Sequence, residues 1–77
     1  PVNVYVVTTY TFTGNGNWSL PGNWLNYSIP PSHLSSNAEI IINPIFNGEC
    51  FLNVTQTIYQ GAKLTVQSGK ILRITGN

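Results

Sequence analysis

The chain has 77 residues, a net charge of +1 and only 6% charged residues, against about 25% in an ordinary soluble domain. So short a chain makes one domain, residues 1–77, and buries only about 60% of its unfolded surface. One cysteine, Cys50, excludes an internal disulfide, one histidine and two carboxylates give no convincing metal site, and the charge leaves no footprint for nucleic acid. Oligomerisation is the remaining way to stabilise so small a fold. A surface of Asn, Thr, Ser and Gln suits it, because few charges must be desolvated on close packing. No apolar run approaches 18 residues, so no membrane span is expected. The first residue, Pro1, reads as the start of a processed or excised product.

Residues 2–13 are almost all β-branched or aromatic and predict one long strand. Alternation puts Val2, Val4, Val6, Thr8, Tyr10 and Phe12 on one face. Twelve residues span roughly 40 Å, long for so small a domain. The strand therefore either bends near Thr8 or reaches beyond its own subunit. The intersubunit reading falls on Val2, Val4, Val6, Tyr10 and Phe12.

Residues 14–38 are rich in Gly, Pro, Asn and Ser and predict an irregular loop. Two Asn-Trp pairs, Asn17-Trp18 and Asn23-Trp24, stand six residues apart in it. A turn-rich segment has little core of its own, so its indoles need something to cover. The loop is expected to lie over an open sheet end as an aromatic lid.

Residues 39–77 carry a rhythm of short strands. The runs are 39–43, 49–54, 57–59, 63–66 and 71–75, broken by Asn43-Pro44, Asn47-Gly48, Gln60-Gly61 and Ser68-Gly69. Alternation points Ile40, Ile42, Leu52, Val54, Leu64, Val66, Leu72 and Ile74 to one side. Residues 62–69 and 70–77 read as one octet used twice, which predicts parallel rungs with Leu72 over Leu64 and Ile74 over Val66. The expected fold is all-β, a short β-solenoid or β-helix-like stack; a β-sandwich or meander is the alternative. A two-residue hairpin at Ser68-Gly69 would signal the latter.

Tyr10-Thr11-Phe12-Thr13-Gly14, Asn17-Trp18-Ser19, Asn23-Trp24, Pro30-Pro31, Ile40-Ile41-Ile42, Leu64-Thr65-Val66 and Ile74-Thr75-Gly76-Asn77 together resemble a module of secreted bacterial surface proteins. That module opens right-handed parallel β-helices. The resemblance covers most of residues 10–77 and implies a fold and an extracellular setting, with no reaction. It departs at Asn37-Ala38-Glu39, where the family often has Asp before the Ile-Val strand.

The candidate chemistry is thin. Glu39 and Glu49 are the only carboxylates, and His33 has no Cys or Asp neighbour. A glycosidase would set two carboxyls about 5–10 Å apart across a cleft. Strand-edge charges are the plainer reading, so no catalytic or cofactor-binding residue is assigned. Trp18, Trp24 and Tyr27 form either a cap over the stack or a platform for stacking sugars. Asn17, Asn26 and Asn53 each open an Asn-X-Ser/Thr pattern and are candidate glycosylation acceptors.

The function expected from these features is that of a secreted, non-enzymatic structural subunit. It would assemble with itself, end to end, into a filament or surface fibre, by strand addition from the N-terminal strand. Good strand sequence runs to residue 75 without a polar cap, which makes that end a template for a further copy. The alternatives are a carbohydrate-binding or adhesive module at the cell surface, with glycans as partners, and the first module of a longer β-helix protein.

Overall fold

In the computed structural model, which describes residues 8–75, the chain is built of eight short strands. They are β1 (Thr8–Phe12), β2 (Gly16–Asn17), β3 (His33–Leu34), β4 (Ala38–Ile42), β5 (Cys50–Leu52), β6 (Thr57–Ile58), β7 (Lys63–Val66) and β8 (Leu72–Ile74). Two single turns of 3-10 helix, Pro21–Asn23 and Leu25–Tyr27, interrupt them. Among the described residues there is no α-helix, as the lack of any 3.6-residue periodicity dictates.

The strands form three small sheets, ordered β1-β4-β7, β2-β5-β8 and β3-β6, with every pair parallel. Consecutive strands in the chain thus fall in different sheets: the first two passes lay one strand on each, and the third, among the described residues, adds β7 and β8 to the first two sheets. This is a short solenoid-like stack and not a sandwich of antiparallel hairpins. The register is direct: Tyr10 lies on Ile40 and Ile40 on Leu64, while Phe12 lies on Ile42 and Ile42 on Val66.

Alternation within β4 produces the core. Ala38, Ile40 and Ile42 are buried, and Glu39 and Ile41 between them are half-exposed. With Phe12, Trp18, Trp24, Leu34 and Cys50 they form one apolar cluster, edged by Tyr10, Ile29, Leu52, Val54, Ala62 and Leu72. The corners carry left-handed backbone where the sequence supplies Asn or Gly. Asn37 (φ 67°) donates its N–H to the carbonyl of Gly61 (φ 93°) at 3.3 Å. Asn47 (φ 65°) and Gly69 (φ 80°) mark the corners before β5 and β8. Asn and Gly adopt this region at least cost.

Three sequence expectations are corrected. First, the octets at 62–69 and 70–77 are not stacked rungs. Leu64 lies on Ile40, 24 positions earlier, and Leu72 on Cys50, 22 positions earlier. Likewise Ile74 pairs with Leu52 and not with Val66. The eight-residue spacing runs from one side of a coil to the next side, around the Ser68-Gly69 corner. A corner and a coil repeat both place turn residues between alternating strands, so periodicity alone confuses them.

Second, residues 14–38 are not without regular structure. The two-residue strands β2 and β3 lie within them and pair in parallel with β5 and β6. Strands this short show no alternation, and His33 and Gly16 are not strand formers. Third, the described part of the N-terminal strand is the five residues of β1, and Thr13 has left it. Tyr10 and Phe12, read as intersubunit residues, pair in backbone with Ile40 and Ile42 of the same chain. The Phe12 side chain is fully buried in its own core. Val2, Val4 and Val6 lie outside the described residues.

Candidate functional site

The two ends of the stack differ, and the difference is the feature on which function can act. Beneath β1 lies a lid made by residues 18–28. It forms because the chain reverses directly after β1: the N–H groups of Thr13 and Gly14 both donate to the Asn23 carbonyl, at 2.9 and 3.0 Å. Phe12 and Trp24 form an antiparallel bridge there. A Cβ at Gly14 would come within 2.7 Å of the Asn23 Cα, so only glycine permits this approach.

Asn23 fixes the lid from both ends of its amide. Its Nδ2 donates to the Asn17 carbonyl at 2.9 Å, and its Oδ1 accepts the Asn15 N–H at 3.3 Å. The Asn15 Oδ1 accepts the Glu49 N–H at 2.9 Å, which ties the lid's base to the second coil. Asn53 makes a second tie. Its Oδ1 accepts the Ser19 N–H at 3.2 Å, and its Nδ2 donates to the Ser19 hydroxyl at 2.9 Å.

These ties seat the indoles. The Trp24 Nε1–H donates to the Trp18 carbonyl at 2.7 Å. Trp24 meets Trp18 edge-to-face at 5.0 Å and Phe12 at 5.3 Å. Such pairs add about 0.5–1.5 kcal/mol beyond the area they bury. The Trp18 indole N–H is buried without an acceptor among the described residues. Trp18 and Trp24 thus offer solvent no ring face on which a sugar could stack. Tyr27, the third aromatic of that reading, is 77% exposed at φ 58° and takes no part in the core.

The upper end is open. β6, β7 and β8 are edge strands with no further strand beyond them among the described residues. Leu64 and Val66 are in register with the buried Ile40 and Ile42, yet they are 37% and 41% exposed, and Ile74, in register with the half-buried Leu52, is 78% exposed. Ile58, Tyr59 and Ile71 join them as exposed apolar residues on or beside the same three strands.

The polar candidates are dispersed. Glu39 accepts a hydrogen bond from the Thr65 hydroxyl at 3.1 Å on one sheet. Glu49 takes the Arg73 guanidinium in a two-pronged pair, at 2.8 and 3.2 Å, beside another. The Arg73 hydrogen bonds hold the Glu49 carboxyl below its ordinary range, the charge adding to them, and the same pair raises Arg73. His33 on β3 and Tyr59 just after β6 lie side by side, with 3.2 Å between the Tyr59 hydroxyl and the His33 Nδ1. Cys50 is buried, and desolvation pushes its thiol up to about 12. No group of three His, Cys, Asp or Glu that could hold a metal occurs among the described residues. Nor is any helix among them long and apolar enough to cross a membrane.

The three acceptor patterns stand differently. Asn53 spends its amide on Ser19, and the same bond engages the hydroxyl that completes the Asn17 pattern. Asn26, Tyr27 and Ser28 are all exposed. Sequence reasoning named Asn23 only as half of an Asn-Trp pair and passed over Asn15 and Phe46. Asn23 carried a signal in its place after Pro21-Gly22, where a turn amide bonds backbone groups of its own loop. Phe46 carried one as a lone aromatic in the turn Asn43-Pro44-Ile45-Phe46-Asn47-Gly48.

Comparison with protein-family models, with curated proteins and with solved structures gives no match.

Proposed function

We propose that this domain is a non-enzymatic structural module of the cell exterior that works by adding β-strands at its open end. Copies of it join end to end into a filament or surface fibre. One observation carries the reading: Leu64 and Val66 are exposed in register with the buried Ile40 and Ile42. A strand laid on β7 would cover them and also satisfy the backbone edge. Full burial of such side chains is worth about 1.5–3 kcal/mol each, so covering a row of them yields a substantial driving force. The low charge favours the same outcome, since little must be desolvated.

The lid shapes how copies can meet. The lower edge of β1 is engaged at Phe12 by Trp24, so a flat coil-on-coil stack would have to displace Trp24. Strand donation avoids this. The apolar alternation of Val2, Val4 and Val6 matches that of Leu64 and Val66, and we assign the donor role to that segment of a neighbouring copy. The dispersed carboxylates and the buried thiol favour a scaffold over a catalyst.

A second reading is favoured by the lid itself. One end closed by aromatics and the other open is the form of a base on which further coils of one polypeptide are laid. Sedimentation velocity of the 77-residue chain over a concentration series, with negative-stain microscopy, separates the two. Growth into elongated particles supports self-assembly. A monomer that binds an apolar dye at Leu64 and Val66 supports the base of a longer solenoid.

A further inference from the structure

The corners before β5 and β8 are stacked, and between them runs a groove of about 380 Å³. That volume falls within the range of small-ligand sites, about 300–1,000 Å³. Phe46 stands at its rim, 85% exposed, with Ile71 as the second apolar wall. Asn47 and Ser68 supply an amide and a hydroxyl, and Glu49 and Lys70 the charges. The walls are preformed. Gly48 N–H donates to the Ile45 carbonyl at 2.7 Å, and Lys70 N–H to the Gln67 carbonyl at 3.0 Å.

The charges are unequal in what they offer. Both Glu49 oxygens are taken by Arg73. Lys70 is half-buried and has no ion pair among the described residues, so the groove's uncompensated charge is positive. An exposed aromatic face, neutral hydrogen-bonding groups and one free ammonium suit a ring with an apolar face, hydroxyls and a carboxylate. We propose that this groove binds an acidic saccharide, with a uronate ring stacked on Phe46 and its carboxylate on Lys70. Sugar recognition thus moves from the buried indoles to the opposite kind of position, a corner that leaves its ring to solvent. The proposal is independent of self-assembly, because the groove is complete within one copy.

The test is titration calorimetry of the 77-residue chain with a trigalacturonate, its methyl ester and a hexaglutamate peptide. The ester should bind about tenfold more weakly, a factor that corresponds to losing one charge-assisted hydrogen bond. Phe46→Ala and Lys70→Gln should each cost about as much, with unchanged unfolding midpoints, and Tyr27→Ala should cost nothing. Three results would overturn the assignment: no binding of the uronate, binding unaltered by the Phe46 and Lys70 changes, or equal affinity for the peptide. The sedimentation experiment is unaffected by any of them, so the two readings fail separately.

Discussion

Val66 lies in register on Ile42, yet Ile42 is fully buried and Val66 is 41% exposed. The two positions are equivalent in sequence alternation. They differ in strand pairing, since Ile42 is flanked by Phe12 and Val66 whereas Val66 has Ile42 alone. The same holds for Leu64 on Ile40. The upper coil therefore has the side chains of a core and the surroundings of a surface.

Replacing Ile42 and Val66 in turn should expose this difference. Ile42→Ala should destabilise the domain by about 2–5 kcal/mol, the range for truncating a buried aliphatic. Val66→Ala should cost well under 1 kcal/mol in a dilute monomer, as surface changes do. Urea unfolding at low protein concentration measures both. Equal costs would mean that Val66 is covered in solution.

The lid is expected to be a stability element. Trp24→Ala should cost about 3–5 kcal/mol, since it empties the space against Phe12 and Trp18 and removes the donor to the Trp18 carbonyl. Tyr27→Ala, three residues further on but exposed, should cost less than about 0.5 kcal/mol. Gly14→Ala should cost about 1–3 kcal/mol by forcing Asn23 away. Thermal unfolding followed by tryptophan fluorescence gives the order. A lid whose loss left stability intact would be a binding loop instead.

Acid should weaken the tie between the second and third coils. The Glu49 carboxyl is held below its ordinary value by Arg73, so the folded state favours its ionised form. That contribution is present above the unfolded value of about 4.3 and is lost as pH falls through the lower folded one. Arg73 stays charged throughout this range. Stability measured from pH 6 to pH 2 should therefore fall less steeply in Glu49→Gln than in the unaltered chain. Parallel profiles would show that the pair contributes nothing.

Cys50 should behave as a small apolar side chain. It is buried and its thiol is pushed up to about 12, so thiolate is scarce near pH 8. A disulfide reagent at pH 8 should react slowly with the folded protein and fast in denaturant. Rapid reaction in the native state would place Cys50 at the surface.

Much of this architecture was legible in the chain. The strand runs at 49–54, 57–59, 63–66 and 71–75 each contain an observed strand, and 39–43 misses only the first residue of β4, because β-branched residues alternate there between Asn, Gly and Pro corners. The stacking order was not legible. Ile40 and Leu64 are joined by register across 24 positions, and nothing local distinguishes that partner from Leu72. The first coil was hidden for another reason. Its strands β2 and β3 are two residues long and owe their conformation to the parallel partners Cys50–Leu52 and Thr57–Ile58. The lid's aromatics were legible as a cluster. The groove was not, since Phe46 and Lys70 come together only when two corners stack.

Should the chain pass through an N-glycosylating pathway, glycan is expected at Asn26 and not at Asn53. Asn26 is exposed, whereas the Asn53 amide holds Ser19. Peptide mass spectrometry of protein made in such a pathway reads the sites directly. Glycan on Asn53 would mean that the tie to Ser19 does not form in the folded chain.

The measurement that bears most directly on the open end is sedimentation velocity on the 77-residue chain beside its Leu64→Lys/Val66→Lys double variant. Both are compared from micromolar to near-millimolar concentration. The unaltered chain should grow with concentration into elongated species. The variant, with charges on the edge that would receive a strand and its buried Ile40 and Ile42 untouched, should stay monomeric and folded. A chain that remains a monomer throughout, indistinguishable from the variant, would contradict self-assembly through this end.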